Sequence, residues 1–228
     1  KGDDSPLLAD NLVRDFGPDA VRYFFTKYAP EKQDRNFIWK DFIDANNNEL
    51  VANIGNFVNR TLVFTKSKFD SKIPKGDLEK DVLQAIETAF DKTSKHLSKC
   101  EFVKAIEAVL DLGHFANKYF NDKKPWEDEE NTPNTIHNSF QLVNALKLLL
   151  RPFTPFAVDR LNTILDIEDE NSWEFNELPA GLEFNEPKIL FEKFEYTKEL
   201  EKQDNAKTEE YEKADNISFS KLKKLNEI

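Results

Sequence analysis

The stretch Asn47–Arg60, NNELVANIGNFVNR, combines the spacing of an amphipathic helix with a polar side that is rich in asparagine. Apolar residues recur at the spacing that faces a protein core, and they continue past the stretch: Leu50, Val51, Ile54, Phe57, Val58 and Leu62. This pattern predicts a core-facing helix from about Asp44 to Phe64. Asparagine is a poor helix former because its side chain competes with the backbone for hydrogen bonds. The polar side is therefore either solvated by chance, or it binds something that carries donors and acceptors.

Most of the remaining chain shows the same helical periodicity. Ser5 to Pro30 predicts two short helices separated at Gly17, and the alternation of Phe37 and Trp39 favours a brief strand or extended segment. Further amphipathic stretches predict four more helices: 77–97, 100–125, one starting near Pro133, and 156–165. Successive amphipathic helices joined by short loops are typical of an antiparallel helical bundle, so we expect a mostly all-α fold.

Composition limits the possible functions. The 228 residues carry a formal net charge of −11, which argues against general binding of nucleic acid through phosphate neutralisation. A local site that reads bases through a few side chains remains compatible with that charge. Twenty Phe and no Met indicate a core of rigid rings. A chain that starts at Lys and contains no Met is expected to be a piece of a longer polypeptide, and no apolar run is long enough for a membrane helix.

The sequence offers no convincing catalytic or metal-binding constellation. His96, His114 and His137 do not share the i, i+4 spacing of a metal-binding helix, and Cys100 is best interpreted as a structural thiol. The acidic stretch Trp126–Thr132, WEDEENT, could bind a hard cation, but its composition is more typical of a solvated loop. Glycine-rich phosphate-binding motifs are absent from the sequence. We therefore expect no catalytic residue, no metal ligand and no cofactor in this chain.

The asparagine-rich side is the first candidate binding surface. At about 100° per residue, Asn56 and Arg60 lie one above the other, with Asn53 one turn earlier on the same side. Arg60 offers a planar fork of donors and Asn56 offers both a donor and an acceptor, which together suit the Watson–Crick edge of a base. The alternative is a surface arginine with asparagine neighbours.

Trp126 is the second candidate. It follows the helix-ending Pro125 and precedes acidic residues, so no apolar pattern requires it in the core. A tryptophan fixed by a proline at a helix end makes a platform on which an unpaired base can stack. Lys123 and Lys124 directly before it could meet phosphates. The alternative is that Trp126 plugs the end of the bundle.

Five blocks of this sequence, taken together, resemble the C-terminal region of methionyl-tRNA synthetase, a class I aminoacyl-tRNA synthetase. They are FGPDAVRYFF, PEKQDRNFIWKDF, NNELVANIGNFVNRTLVF, NKYFNDKKPW and LLRPFTPF, and they occur in the order that the family shows. The resemblance covers the chain from Ser5 to about Glu195. It implies a small α/β stem-contact segment at 1–45, an α-helical anticodon-binding bundle at 46–195, and a charged tail or linker at 196–228.

The resemblance also implies roles for individual residues. Asn56, Arg60 and Trp126 stand at the positions that read the anticodon CAU in the family, with Pro125 holding the indole and Asn53, Lys123 and Lys124 supporting RNA contact. The implied partners are the anticodon stem-loop of tRNA and a catalytic domain outside this chain, which would use ATP and Mg to join methionine to tRNA. The family is cytoplasmic, and neither DNA nor a membrane is implied as a partner.

Two other interpretations stay open on the sequence. Another class Ia synthetase, such as those for cysteine, leucine, isoleucine or valine, shares the helical bundle. A helical scaffold that binds a basic protein through its acidic surface is the alternative from a different functional class.

Overall fold

A computed structural model describes residues 9–29, 37–168 and 173–206 of the chain. The helices are α1 (Ala9–Phe16), α2 (Pro18–Lys27), α3 (Trp39–Asp44), a π-helical segment (Ala45–Gly55), α4 (Asn56–Phe69), α5 (Lys80–Leu97), α6 (Phe102–Lys123), α7 (Thr132–Leu150) and α8 (Pro155–Leu165). Within the described residues, strand-like pairing is limited to an isolated bridge between Lys72 and Glu183. The predicted mostly all-α fold is confirmed.

The N-terminal segment is helical where the structure describes it. Gly17, with φ at 81°, separates α1 from α2 because this left-handed backbone conformation is accessible to glycine at little cost. Of the extended segment predicted around Phe37 and Trp39, the structure shows an extended backbone at Ile38, and α3 begins at the next residue, Trp39. The rest of that expected strand, at 30–36, lies outside the described residues. The α/β character expected of segment 1–45 is therefore not seen in 9–29 or 37–44, which are helical apart from short connections.

Asp19 joins this segment to the far end of the bundle. Its buried carboxylate accepts hydrogen bonds from the backbone N–H groups of Phe156 (3.1 Å) and Ala157 (2.6 Å) at the start of α8. Burial raises the pKa of Asp19 above its usual value, although these two hydrogen bonds oppose the shift. The carboxylate thus supplies acceptors for helix N–H groups that have no partner within α8.

One continuous helix runs from α3 through the π-helical segment into α4. The π-helical geometry is visible where the N–H of Asn56 reaches the carbonyl of Val51, five residues earlier. Such segments are rare and occur often at functional sites. The helix crosses the expected boundary at residue 45 without a break, so the N-terminal segment and the bundle share a backbone element.

The bundle is centred on α6 and α7. Helix α6 packs against α5, α7, α4, α2 and the π-helical segment. Nearly every side chain of α7 is buried, including polar ones, so this helix lies inside the fold rather than on its surface. Among the described residues, no helix is long and apolar enough to cross a membrane.

Buried amides on α7 hold the loops that surround it. Asn138 accepts a hydrogen bond from the Glu79 N–H (2.8 Å) and donates to the carbonyl of Asp77 (3.0 Å). Gln141 makes the equivalent pair with the N–H (2.8 Å) and carbonyl (3.0 Å) of Leu178. These side chains satisfy loop backbone groups that would otherwise be buried without partners.

The described part of the charged tail is docked rather than free. A helical turn at 198–206 places the buried Asp204 against the start of α3. Its carboxylate accepts hydrogen bonds from the backbone N–H groups of Trp39 (2.8 Å) and Lys40 (2.9 Å). The expected linker character of 196–228 therefore does not hold for 196–206, because Asp204 caps α3 from 165 residues away in sequence. Residues 207–228 lie outside the described part.

Replacing Asn138 with leucine is expected to lower the free energy of unfolding by about 1–3 kcal/mol, the cost of leaving buried polar groups unpaired. The Glu79 N–H and the Asp77 carbonyl lose their partners. Urea unfolding followed by circular dichroism measures the change.

The control for Asn138→Leu is Gln84→Leu, which removes an exposed amide from α5. It should change the free energy of unfolding by no more than about 0.5 kcal/mol. Equal stabilities for the two variants would show that the α7 amides contribute nothing to the fold.

Candidate nucleic-acid interface

Arg60 and Trp126 lie close together although they come from separate helices. The Arg60 guanidinium carbon is 4.7 Å from the ring centroid of Phe120 on α6 and 5.8 Å from that of Trp126. The two rings pack on each other with their centroids 6.2 Å apart. The cation is attracted to both rings by their quadrupoles, which fixes a flexible side chain in one place. The fold therefore brings together the two candidate surfaces of the sequence.

The turn after α6 presents Trp126 to solvent. Helix α6 ends at Lys123, and Lys124 adopts a left-handed backbone with φ at 44°. Pro125 is buried, and its carbonyl accepts a hydrogen bond from the Thr132 hydroxyl (2.6 Å). With this turn anchored, 48% of Trp126 remains exposed. An indole that plugged the bundle would be covered, so Trp126 is a partly open platform.

The hydrogen-bonding edge of Arg60 is open. Among the described residues, its guanidinium makes no hydrogen bond and no ion pair, only the two ring contacts. Because no hydrogen bond is made in these contacts, the guanidinium N–H groups are left without acceptors among the described residues. Such a group is suited to binding an external acceptor.

Glu127 lies beside the indole and holds its N–H. A Glu127 oxygen accepts from Trp126 Nε1 at 3.2 Å, and the other accepts from Lys124 Nζ at 2.9 Å. The hydrogen bond from Lys124 lowers the pKa of Glu127 below its usual range, with a smaller contribution from Trp126. The carboxylate is therefore ionised at neutral pH and steadies the edge of the indole.

The two lysines expected to support RNA contact are already paired. Lys124 bonds to Glu127, while Lys123 Nζ lies 2.8 Å from a Glu79 oxygen. Exposed ion pairs of this kind are worth little, so either lysine could exchange its carboxylate for a phosphate. Their positions beside Trp126 are compatible with the expected role.

Asn53 is not on the exposed face where the sequence placed it. Its side chain is buried, and its amide nitrogen donates to the Leu110 carbonyl (3.1 Å) on α6. Helix α6 covers this side of the π-helical segment, which periodicity within a single helix could not reveal. Direct RNA contact by Asn53 would require this amide to leave the interior, so its observed role is to join the two helices.

Asn117 and Phe120 are site residues that the sequence did not identify. The amide nitrogen of Asn117 donates to the backbone carbonyl (2.9 Å) and the side-chain oxygen (3.0 Å) of Asn53. The Asn117 oxygen then accepts from the exposed Asn56 (3.2 Å). A possible signal was the pair of Gly113 and Asn117, one turn apart in an otherwise regular helix.

Gly113 makes this contact between helices possible. A Cβ atom added there would lie 2.9 Å from the side-chain oxygen of Asn53 and 3.0 Å from its nitrogen. Glycine inside a helix costs about 1 kcal/mol relative to alanine, so its presence here needs a local cause. The cause is the close approach of the Asn53 amide.

The arrangement can hold an unpaired base but shows no means of catalysis. It combines a ring platform, open guanidinium donors and an exposed carboxamide. Within the described residues, no group of three or more His, Cys, Asp or Glu side chains is placed to bind a metal ion.

Gly113→Ala is expected to destabilise the protein by about 1–2 kcal/mol, because overpacking against a pinned amide outweighs the gain in helix propensity. Thermal or urea unfolding measures this. In the double variant Gly113→Ala with Asn53→Ala, the methyl group added at position 113 can occupy the space that the Asn53 amide has left.

The decrease in the free energy of unfolding in the double variant should therefore be smaller than the sum of the decreases in the two single variants. Strict additivity would show that Gly113 and Asn53 do not constrain each other.

Two family models match the chain. One, described as tRNA synthetases class I (M), matches residues 4–62, and the other, described as the anticodon binding domain of methionyl tRNA ligase, matches residues 71–210.

Curated relatives agree with these matches. The chain is 39% identical over 186 residues to methionine–tRNA ligase of Pyrococcus abyssi, covering 78% of this chain and 26% of that protein. It is 35% identical over 189 residues to methionine–tRNA ligase of Bacillus cereus, covering 81% of this chain and 34% of that protein. The chain thus spans about a quarter to a third of the length of these relatives.

Solved structures share the fold. The apo form of Mycobacterium tuberculosis methionyl-tRNA synthetase superimposes with a TM-score of 0.76 at 21% identity, over 85% of this chain and 42% of that one. The form of that enzyme bound by methionyl-adenylate gives a TM-score of 0.73 at 23% identity, over 79% of this chain and 39% of that one.

Proposed function

The chain belongs to the methionyl-tRNA synthetase family, and on that premise we propose that it recognises the anticodon loop of the tRNA that its parent enzyme charges. The proposed ligand is a splayed, single-stranded loop, and the proposed site is formed by Arg60, Asn56 and Trp126. Sequence-specific proteins commonly read RNA at such loops, by stacking bases on aromatic rings and bonding to their edges.

The observation that best supports this proposal is the state of Arg60. Its guanidinium is held over two rings, yet its donors meet no acceptor among the described residues. A cation without carboxylate partners, in a chain of net charge −11, is suited to an acceptor that comes from another molecule.

The chemistry of the site favours a pyrimidine with two adjacent acceptors. A base stacked against the half-exposed Trp126 would present its edge towards the guanidinium. The N3 and O2 atoms of cytosine are two such acceptors, which match the paired donors of the Arg60 fork. We assign this position to the first base of the anticodon CAU, with Pro125 holding the turn that carries the indole.

Few phosphates need be neutralised at such a site. Lys123 and Lys124 are paired with acids, and the surrounding loop is acidic. Affinity would then come mainly from stacking and edge hydrogen bonds, and it should depend only weakly on salt.

For the parent enzyme we propose ATP-dependent joining of methionine to tRNA in the cytoplasm, with Mg as the expected metal. The Mycobacterium tuberculosis relative has been solved with methionyl-adenylate, the product expected of methionine and ATP. We place the catalytic part in the remaining length of the parent, because this chain covers only 26% of the Pyrococcus abyssi relative. This chain would join that part to the anticodon, with the helices of 1–45 near the stem of the tRNA.

Trp126→Ala is expected to weaken binding of an RNA stem-loop with the anticodon CAU by about 1–3 kcal/mol, the loss of one stacked base. Trp173→Ala is the matched control because Trp173 is also partly exposed but contacts Ser94 and Phe90 on α5. Fluorescence anisotropy with labelled stem-loops measures both variants.

The same assay tests specificity with a stem-loop of scrambled anticodon. The unaltered chain should bind the CAU loop more tightly, and Arg60→Lys should reduce that difference because lysine lacks the planar fork. Equal binding of cognate and scrambled loops by the unaltered chain would refute anticodon recognition.

A further inference from the structure

We propose that Asn117 is a positioning residue that holds the Asn56 amide with its oxygen outward, so that the site accepts cytosine and rejects uracil. This inference rests on the proposed function and specifies how the first anticodon base is chosen. Asn117 does not itself face the base in this proposal. It acts by removing one of the two orientations that the Asn56 carboxamide could adopt.

The chain of hydrogen bonds begins at backbone carbonyls, which can only accept. The Leu110 carbonyl receives a hydrogen bond from the Asn53 nitrogen, so the Asn53 oxygen is left to accept from the Asn117 nitrogen (3.0 Å). The carbonyls of Gly113 (2.9 Å) and Asn53 (2.9 Å) both receive hydrogen bonds from Asn117. The nitrogen of Asn117 is therefore committed to the interior.

The orientation of the exposed Asn56 amide follows from these hydrogen bonds. With its nitrogen turned inward, Asn117 offers only its oxygen to Asn56, at 3.2 Å. Asn56 must meet that oxygen with its own nitrogen, because two facing carbonyl oxygens would repel each other. The Asn56 oxygen is left outward, and it has no partner among the described residues.

An outward oxygen next to a cationic donor distinguishes the two pyrimidines. Cytosine carries an amino donor at C4 beside the acceptors N3 and O2, so it can donate to Asn56 while Arg60 donates to it. Uracil carries a carbonyl at C4 and an N–H at N3. Its C4 carbonyl would face the Asn56 oxygen, which is also an acceptor, and its N3–H would face the Arg60 guanidinium, which is also a donor. A site arranged to bond one set of donors and acceptors discriminates against a base that leaves those groups unpaired.

The test compares stem-loops that differ only at the first anticodon base: cytosine, uracil, and pyrimidin-2-one, which lacks the amino group but keeps N3 and O2. For the unaltered chain, both replacements should weaken binding by about tenfold or more, because each removes an edge hydrogen bond and leaves its partner unpaired. In Asn117→Leu, the freed Asn56 amide can rotate and present its nitrogen. The preference for cytosine over uracil should then fall about tenfold.

The outcomes separate the two levels of the proposal. Preference for cytosine in the unaltered chain, retained in a folded Asn117→Leu variant, would overturn the role of Asn117 and leave anticodon recognition standing. A lack of preference in the unaltered chain would overturn both. Gln84→Leu is the control for the general effect of replacing an amide on this bundle, and it should retain the preference in full.

A second variant keeps the proposal falsifiable if Asn117→Leu does not fold. Asn117→Ala removes the same amide without adding bulk, so the preference for cytosine over uracil should fall about tenfold in this variant as well. A folded Asn117→Ala variant that retains the full preference would show that Asn117 does not orient the Asn56 amide.

Discussion

The contact between the π-helical segment and α6 is the constraint on which the site depends. At this contact the side chain of Gly113 is reduced to a hydrogen, the Asn53 amide occupies the space, and Asn117 closes the gap with hydrogen bonds to both helices. Buried polar groups need partners, so this pairing allows few alternative positions for the two helices. Arg60 lies on the helix that continues the π-helical segment and Phe120 lies on α6, so this contact fixes the distance between them.

A fixed contact explains how an acidic protein could carry the RNA site that we propose. Proteins that hold nucleic acid by charge tolerate imprecise geometry, because a phosphate can be met from many directions. A site with one open cation and one half-exposed ring depends instead on the exact placement of a few atoms. In the proposed site, Glu127 holds the indole N–H, and Lys123 and Lys124 are each paired with a carboxylate.

The sequence predicted those features that depend on local spacing. Helical periodicity located the bundle. The residues around Trp126 left open whether the indole lies outside the core or plugs the bundle end, and in the structure 48% of Trp126 is exposed. Features that depend on contacts between distant segments were missed. Asn53 was placed on the wrong side because α6 covers it. The role of Asn117 was missed because Asn56 and Asn53 lie 61 and 64 residues away from it. Asp204 was assigned to a linker because its partners lie at the other end of the sequence.

The indole N–H signals of the three tryptophans provide the most direct test that RNA binds where the two helices meet. In ¹H–¹⁵N spectra of the labelled chain, adding a stem-loop with the anticodon CAU should shift the signal of Trp126. The signals of Trp39, which is buried and bonded to Gln203, and of Trp173, which is bonded to Ser94, should stay in place. Binding of the loop with an unmoved Trp126 signal, or with a shift at Trp173 instead, would contradict the proposed site.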